Sequence, residues 1–216
     1  MEQDIYSDGS DRVERMLLFA FLDVKSSGCE FREQLPLLQK QSILRSAKEV
    51  QCYDSDGELQ TDGNRSGHLQ NGELVLDPEV NEEVVRTIAA QLAEIGDQLD
   101  KQIRAKVVND LVQHFRNENL PREEITRYLS QAVEGLARAI PSDLEQEKAM
   151  LVLAMLLTKK VANQVPSLLQ RVFSTTVNYI NQHLHNYVVR MVCAIQQLCS
   201  SAQVTAQVSL LALVTP

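Results

Sequence analysis

Residues 149 to 157, AMLVLAMLL, contain no polar side chain and lie between the charged residues Glu147, Lys148 and Lys159, Lys160. A segment that is apolar all round the helical wheel must be covered on every side, so it belongs at the centre of a bundle or inside a membrane. It is too short to span, because crossing takes about 20 residues. A central core helix is therefore expected. After Pro166, the run PSLLQRVFSTTVNYINQHL presents Leu168, Leu169, Val172, Phe173 and Ile180, and the two segments are expected to form a hairpin with an apolar centre.

The rest of the chain repeats apolar residues with helical period and has few prolines and no tryptophan, which predicts an all-α fold. Expected helices cover 12 to 24, 80 to 103, 105 to 116, 122 to 139, 142 to 163, 167 to 181 and 183 to about 199, with further turns in 31 to 38 and 43 to 50. RVERMLLFAFLDV, residues 12 to 24, is apolar almost all round and is expected to be buried on more than one side. Ser142 with Glu145 three residues on is a capping-box signature for the start of the central helix. Residues 51 to 79 lose all periodicity, are rich in Gly, Asp, Asn and Ser, and read as a long mobile loop. The organisation expected is thus N-terminal helices over 1 to 50, the loop, a helical bundle over 80 to 190, and an uncharged tail over 191 to 216.

Residues 84 to 100, VVRTIAAQLAEIGDQLD, carry the candidate binding surface. Ile88, Leu92, Ile95 and Leu99 recur at steps of four, three and four, which holds them within a roughly 60° arc of a helix. Ala89, Ala93 and Gly96 lie beside that stripe and would let a groove wall approach the backbone. Glycine inside a helix costs about 1 kcal/mol relative to alanine, so Gly96 needs a reason. A stripe of this kind also suits an ordinary core helix, and the spacing alone leaves both readings open.

Composition narrows the function. A net charge of −8 argues against nucleic acid as a partner. The load is uneven, with net −6 over residues 1 to 62 and net −2 over 63 to 216. Removing the first part would lift most of the repulsion from an anionic membrane. Cys29, Cys52, Cys193 and Cys199 have no close pairing pattern, which suits a reducing cytosol. His183 and His185 point about 200° apart on a helix, so no metal site is expected with Cys193 and Cys199. No phosphate-cradling glycine loop and no nucleophile with a sequence-level partner is present, so neither an enzyme nor a cofactor is expected.

The Leu-x-x-x-Gly-Asp core, Leu92 to Asp97, resembles the third homology motif of the Bcl-2 family of death regulators, which docks as an amphipathic helix in a hydrophobic groove. ELQTDGNRS in the loop, EKAMLVLAMLLTKKVA followed by PSLL, and TTVNYINQ at 175 to 182 resemble the proteolytically activated members of that family. The likeness runs from about residue 12 to 188 and is closest over 147 to 187. It implies a Bcl-2-like bundle in which two central apolar helices are surrounded by amphipathic ones. It also implies Ile88, Leu92, Ile95 and Leu99 as groove anchors, Gly96 as the close-packed position, and Asp97 as the partner of a groove-rim arginine. The wheel places Asp97 nearly opposite the stripe, so that pairing comes from the family alone.

The same resemblance turns Leu59-Gln60-Thr61-Asp62-Gly63 into a cleavage site for an initiator caspase, with Asp62 as the scissile residue and Asp56 as a second, weaker site. Granzyme B cuts relatives further along the loop, but here Asp77 precedes Pro78, whose ring and missing N–H make a poor substrate. The glycine freed by the cut, Gly63, is the implied acylation site. The acylation pattern has Ser or Thr four residues on, where this chain has Gly67, with Ser66 one place early. Phosphorylation of Thr61 or Ser66 would add charge and bulk beside the scissile bond.

The implied protein is cytoplasmic while intact. After cleavage its 63 to 216 part moves to mitochondrial outer-membrane lipid, inserts residues 84 to 100 into Bax, Bak or an anti-apoptotic Bcl-2 protein, and triggers cytochrome c release. The N-terminal helix is the expected cover of the stripe, and Leu92→Ala with Gly96→Glu is expected to abolish binding while sparing the fold. The alternative is a helical protein that remodels or permeabilises lipid directly through its hairpin and uncharged tail.

Overall fold

The computed structural model describes residues 11 to 38, 81 to 140 and 144 to 212, with side chains placed as far as residue 198. Among the described residues every regular element is helical: α1 (Arg12–Val24), α2 (Glu82–Leu99), α3 (Ala105–Arg116), α4 (Arg122–Ala137), α5 (Gln146–Gln164) and α6 (Leu169–Ala212). The all-α, Bcl-2-like bundle is the architecture observed.

α5 is its axis. Residues 149 to 157 are buried throughout except for the half-buried Met150, and α5 packs against all five other helices. A side chain that meets a helix in every direction has no use for a polar face, which is why this segment lacks one. α6 lies beside it and touches α1, α2 and α4 as well. In the largely apolar seam between α5 and α6, the hydroxyls of Thr158 and Thr176 are 2.6 Å apart, and Thr158 also donates to the carbonyl of Ala154 at 2.9 Å. Each of these two buried hydroxyls thus has a partner, which offsets the cost of placing it in a low-dielectric interior.

α1 presents Val13, Leu17, Leu18, Phe21 and Leu22 inward, each at most 7% exposed. Its most extensive neighbour is α2. The chain leaves α1 through a turn in which Gly28 adopts φ 76°, a left-handed conformation that favours glycine. α2 opens on Asn81, whose side chain accepts from the backbone N–H of Glu83 at 2.9 Å, and Glu82 and Glu83 complement the helix dipole in the first turn.

Two boundaries depart from expectation. α5 begins at Gln146 and not at Ser142, and Glu145 is the residue before it, with its side chain accepting a hydrogen bond from the Tyr187 hydroxyl at 3.2 Å. The carboxylate expected in a capping box is committed to α6; Ser142 lies outside the described residues.

The second departure is larger. Where helices at 167 to 181 and 183 to 199 followed by a separate tail were expected, α6 is one helix of 44 residues, roughly 66 Å long at 1.5 Å per residue. No Gly or Pro interrupts residues 169 to 212, and Leu184, Tyr187, Val188 and Val192 continue the buried stripe past the expected break. The helix therefore runs through residue 191, where the tail was expected to start. Among the described residues no helix is long and apolar enough to cross a membrane. The turns expected at 31 to 38 are present as a 3₁₀ turn at Arg32–Gln34 followed by helical residues 35 to 38. Those at 43 to 50 lie outside the described residues.

Candidate groove-binding helix

α2 turns its anchors into the bundle. Ile88, Leu92 and Leu99 are 1%, 2% and 5% exposed, while Ile95 is half-buried. The buried face is wider than the stripe and takes in Val84, Val85, Ala89, Ala93 and Gly96. Burying each of the three covered anchors is worth about 1.5 to 3 kcal/mol, so the same side chains that would bind a groove stabilise the intact fold.

Gly96 has its reason here. A Cβ at this position would lie 3.4 Å from Cδ2 of Leu156 on α5 and 3.5 Å from Cζ of Phe21 on α1, so only a very small residue fits where three helices meet. Asp97, next along, faces outward, and its Oδ2 accepts a hydrogen bond from Nζ of Lys25 at 2.6 Å. The carboxylate assigned by resemblance to a partner's arginine is thus held by a lysine just past the end of the helix that covers α2. Lys25 was not legible as a site residue; its place just past the end of α1 is the only trace in the sequence.

On the other side of the stripe, an open cavity of about 420 Å³ separates Ile88, Leu92 and Ile95 from Tyr187, Met191 and Ile195 on α6. Glu145, just before α5, Lys148 of α5 and Arg190 of α6 also line it. Arg190 Nη2 lies 2.9 Å from Glu147 Oε2. Burial first, and then the nearby Glu145 carboxylate, push the Tyr187 phenol well above its ordinary range, so it remains a donor to Glu145. Ile95 is the anchor that this cavity leaves partly uncovered. The cover is therefore shared: α1 lies along α2 and closes on Gly96, α5 packs beneath, and the last turns of α6 with placed side chains face the stripe.

This packing corrects one expectation. Leu92→Ala with Gly96→Glu cannot spare the fold, because Leu92 is in the core and a glutamate at position 96 would collide with Leu156 and Phe21. His183 and His185 also go to separate places. The His183 ring contacts Tyr179 at 4.9 Å between centroids, and His185 Nδ1 is 2.6 Å from Oε1 of Glu14 on α1. Glu14 was missed, although its spacing from Leu17, Leu18 and Phe21 placed it on the inner stripe of α1. Asp56, Thr61, Asp62, Gly63, Ser66 and Asp77 lie outside the described residues.

Comparison with known proteins decides the family: the model described as "BH3 interacting domain (BID)" matches residues 3 to 194, nearly the whole described bundle. The chain belongs to the BID family. A relative from Gallus gallus, named "BH3-interacting domain death agonist", is 86% identical over 191 residues, covering 88% of this chain and 98% of that protein. A Mus musculus protein of the same name is 40% identical over 185 residues, covering 85% and 92%. The BID match ends inside α6, one residue before Ile195, which packs against the core and lines the cavity beside Ile95.

Proposed function

We propose that this chain is a latent pro-apoptotic ligand of Bcl-2 family proteins, in which α2 is the groove-binding helix and α1 its removable cover. The observation that supports the reading is the burial of Ile88, Leu92 and Leu99 in the core of the intact chain, on a helix whose Leu-x-x-x-Gly-Asp core resembles the groove-docking motif. Membership of a family whose curated members are named death agonists supports the same role.

In this reading an initiator caspase cuts after Asp62, and the apolar contacts of α1 hold the pieces together until a membrane or partner separates them. The intact protein is cytoplasmic. The 63 to 216 piece settles on mitochondrial outer-membrane lipid, with Gly63 as its acylation point, and presents α2 to Bax, Bak or an anti-apoptotic relative. Thr61 and Ser66 are the positions at which phosphorylation would block the cut. Asp97, freed from Lys25, pairs with a groove arginine. Ordering and association costs reduce the anchors' gross contribution, which suits binding that must be regulated.

The test titrates a purified anti-apoptotic Bcl-2 protein with cut and uncut chain, each with and without Asp97→Ala. Binding by the cut chain alone, weakened at least about tenfold by Asp97→Ala, is expected. Equal binding by the uncut chain, or indifference to Asp97, would overturn the reading.

A further inference from the structure

Glu14 lies in the middle of the inward face of α1 and is wholly shielded from solvent, among Val13, Leu17, Leu18, Phe21 and Leu22. Its Oε1 is 2.6 Å from Nδ1 of His185 on α6, and its Oε2 has no hydrogen-bond partner among the described residues. The five apolar neighbours lose by entering water. Glu14 gains, because a buried carboxylate gives up hydration that a single partner on one oxygen does not restore. The His185 side chain keeps 37% of its surface exposed, so it loses little when the two part.

We propose that the Glu14–His185 contact is an autoinhibitory weak point: it sets how readily α1 leaves the groove-binding helix once the chain has been cut after Asp62. The inference rests on the reading of α1 as the removable cover. Were the inner face of α1 entirely apolar, cutting the loop would leave a helix with every reason to stay. One buried carboxylate facing a partly hydrated histidine lowers that retention without exposing any groove anchor in the intact chain. Lys25–Asp97 cannot serve in this way, since Asp97 already has 69% of its side chain in solvent and loses little hydration in the intact fold.

The test uses the full chain cut between residues 62 and 63, by caspase or through an inserted site for another sequence-specific protease. A fluorophore on the 1 to 62 piece reports its exchange against excess unlabelled piece. Glu14→Leu combined with His185→Leu should slow exchange roughly tenfold, because a well-packed apolar pair replaces a buried polar one. His185→Leu alone should speed it roughly tenfold, because Glu14 then stays buried without its partner. Glu14→Gln keeps the shape and one hydrogen bond while removing the charge, and should also slow exchange; it decides the matter if the double variant lacks the helical signal of the uncut parent. Exchange at the parent rate or faster in Glu14→Gln overturns the inference, as does slowing by His185→Leu alone. Groove-protein binding is read on the same samples. Exchange that follows expectation without any binding sinks the groove-ligand reading and leaves the account of α1 release intact.

Discussion

Lys25, just past the end of α1, reaches 2.6 Å across to Asp97 on α2, and it is the more covered partner, at 16% exposed against 69%. The pair fastens α1 to α2 at Asp97, the one exposed residue among the described groove-binding candidates. Because the carboxylate is hydrated, the bond adds little stability. Asp97→Ala and Lys25→Ala should each cost no more than about 1 kcal/mol in denaturant unfolding. Leu92→Ala, at a position 2% exposed, should cost about 2 to 5 kcal/mol. A larger loss for Asp97→Ala than for Leu92→Ala would contradict the placement of the two faces of α2.

Gly96 makes a second, sharper comparison. Alanine meets Leu156 and Phe21 at ordinary contact distances of 3.4 and 3.5 Å, and it gains about 1 kcal/mol of helix propensity. Gly96→Ala should therefore leave thermal stability unchanged or slightly raised, whereas Gly96→Glu should lower it by several kcal/mol, because a buried charge adds to the clash. Circular dichroism melts of the uncut chain decide this. Equal melting of the two variants would mean that position 96 is not packed as described.

The architecture was legible because residues 149 to 157 have only one comfortable place in a water-soluble fold, and α1, α3 and the stripe on α2 follow from period alone. Local chemistry misled where tertiary contacts outbid it. Glu145 serves Tyr187 and not a cap, and no breaker stands between Leu169 and Ala212 to end the last helix where it was expected to end. Lys25, Phe21, Leu156 and Glu14 meet their partners across long sequence separations, and a single chain's spacing carries no record of such pairings. The cleavage motif expected around Asp62 rests on family resemblance alone, since an Asp-Gly pair by itself is an ordinary turn, and it lies outside the described residues.

The Thr158–Thr176 bridge between the central helices lends itself to a double-mutant cycle. Thr158→Val strands the Thr176 hydroxyl in an apolar seam and should cost about 1 to 3 kcal/mol, whereas Thr176→Val leaves Thr158 its bond to the Ala154 carbonyl and should cost less. Both changes together restore a matched apolar contact and should cost clearly less than the sum. Strict additivity in urea unfolding would show that the hydroxyls do not pair.

Tyr179 predicts behaviour in alkali. Burial, with the Glu134 carboxylate as the lesser cause, raises its phenol from an ordinary value of 10.0 to about 12. The folded state thus holds this proton at a pH where the unfolded chain has released it, so stability should be undiminished below pH 10 and fall as pH rises toward 12. Tyr179→Phe removes a hydroxyl that has no hydrogen-bond partner among the described residues, and should flatten that alkaline decline. Unfolding free energies measured from pH 9 to 11.5 check it; identical slopes for parent and variant would assign the decline to other groups.

The central claim is that one stripe serves as core before the loop is cut and as ligand afterwards. The most direct measurement adds caspase-treated chain to isolated mitochondria, beside treated Asp62→Ala and untreated parent, and follows cytochrome c in the supernatant. Release by the treated parent alone is the predicted result; equal release by all three, or none by any, would contradict the account.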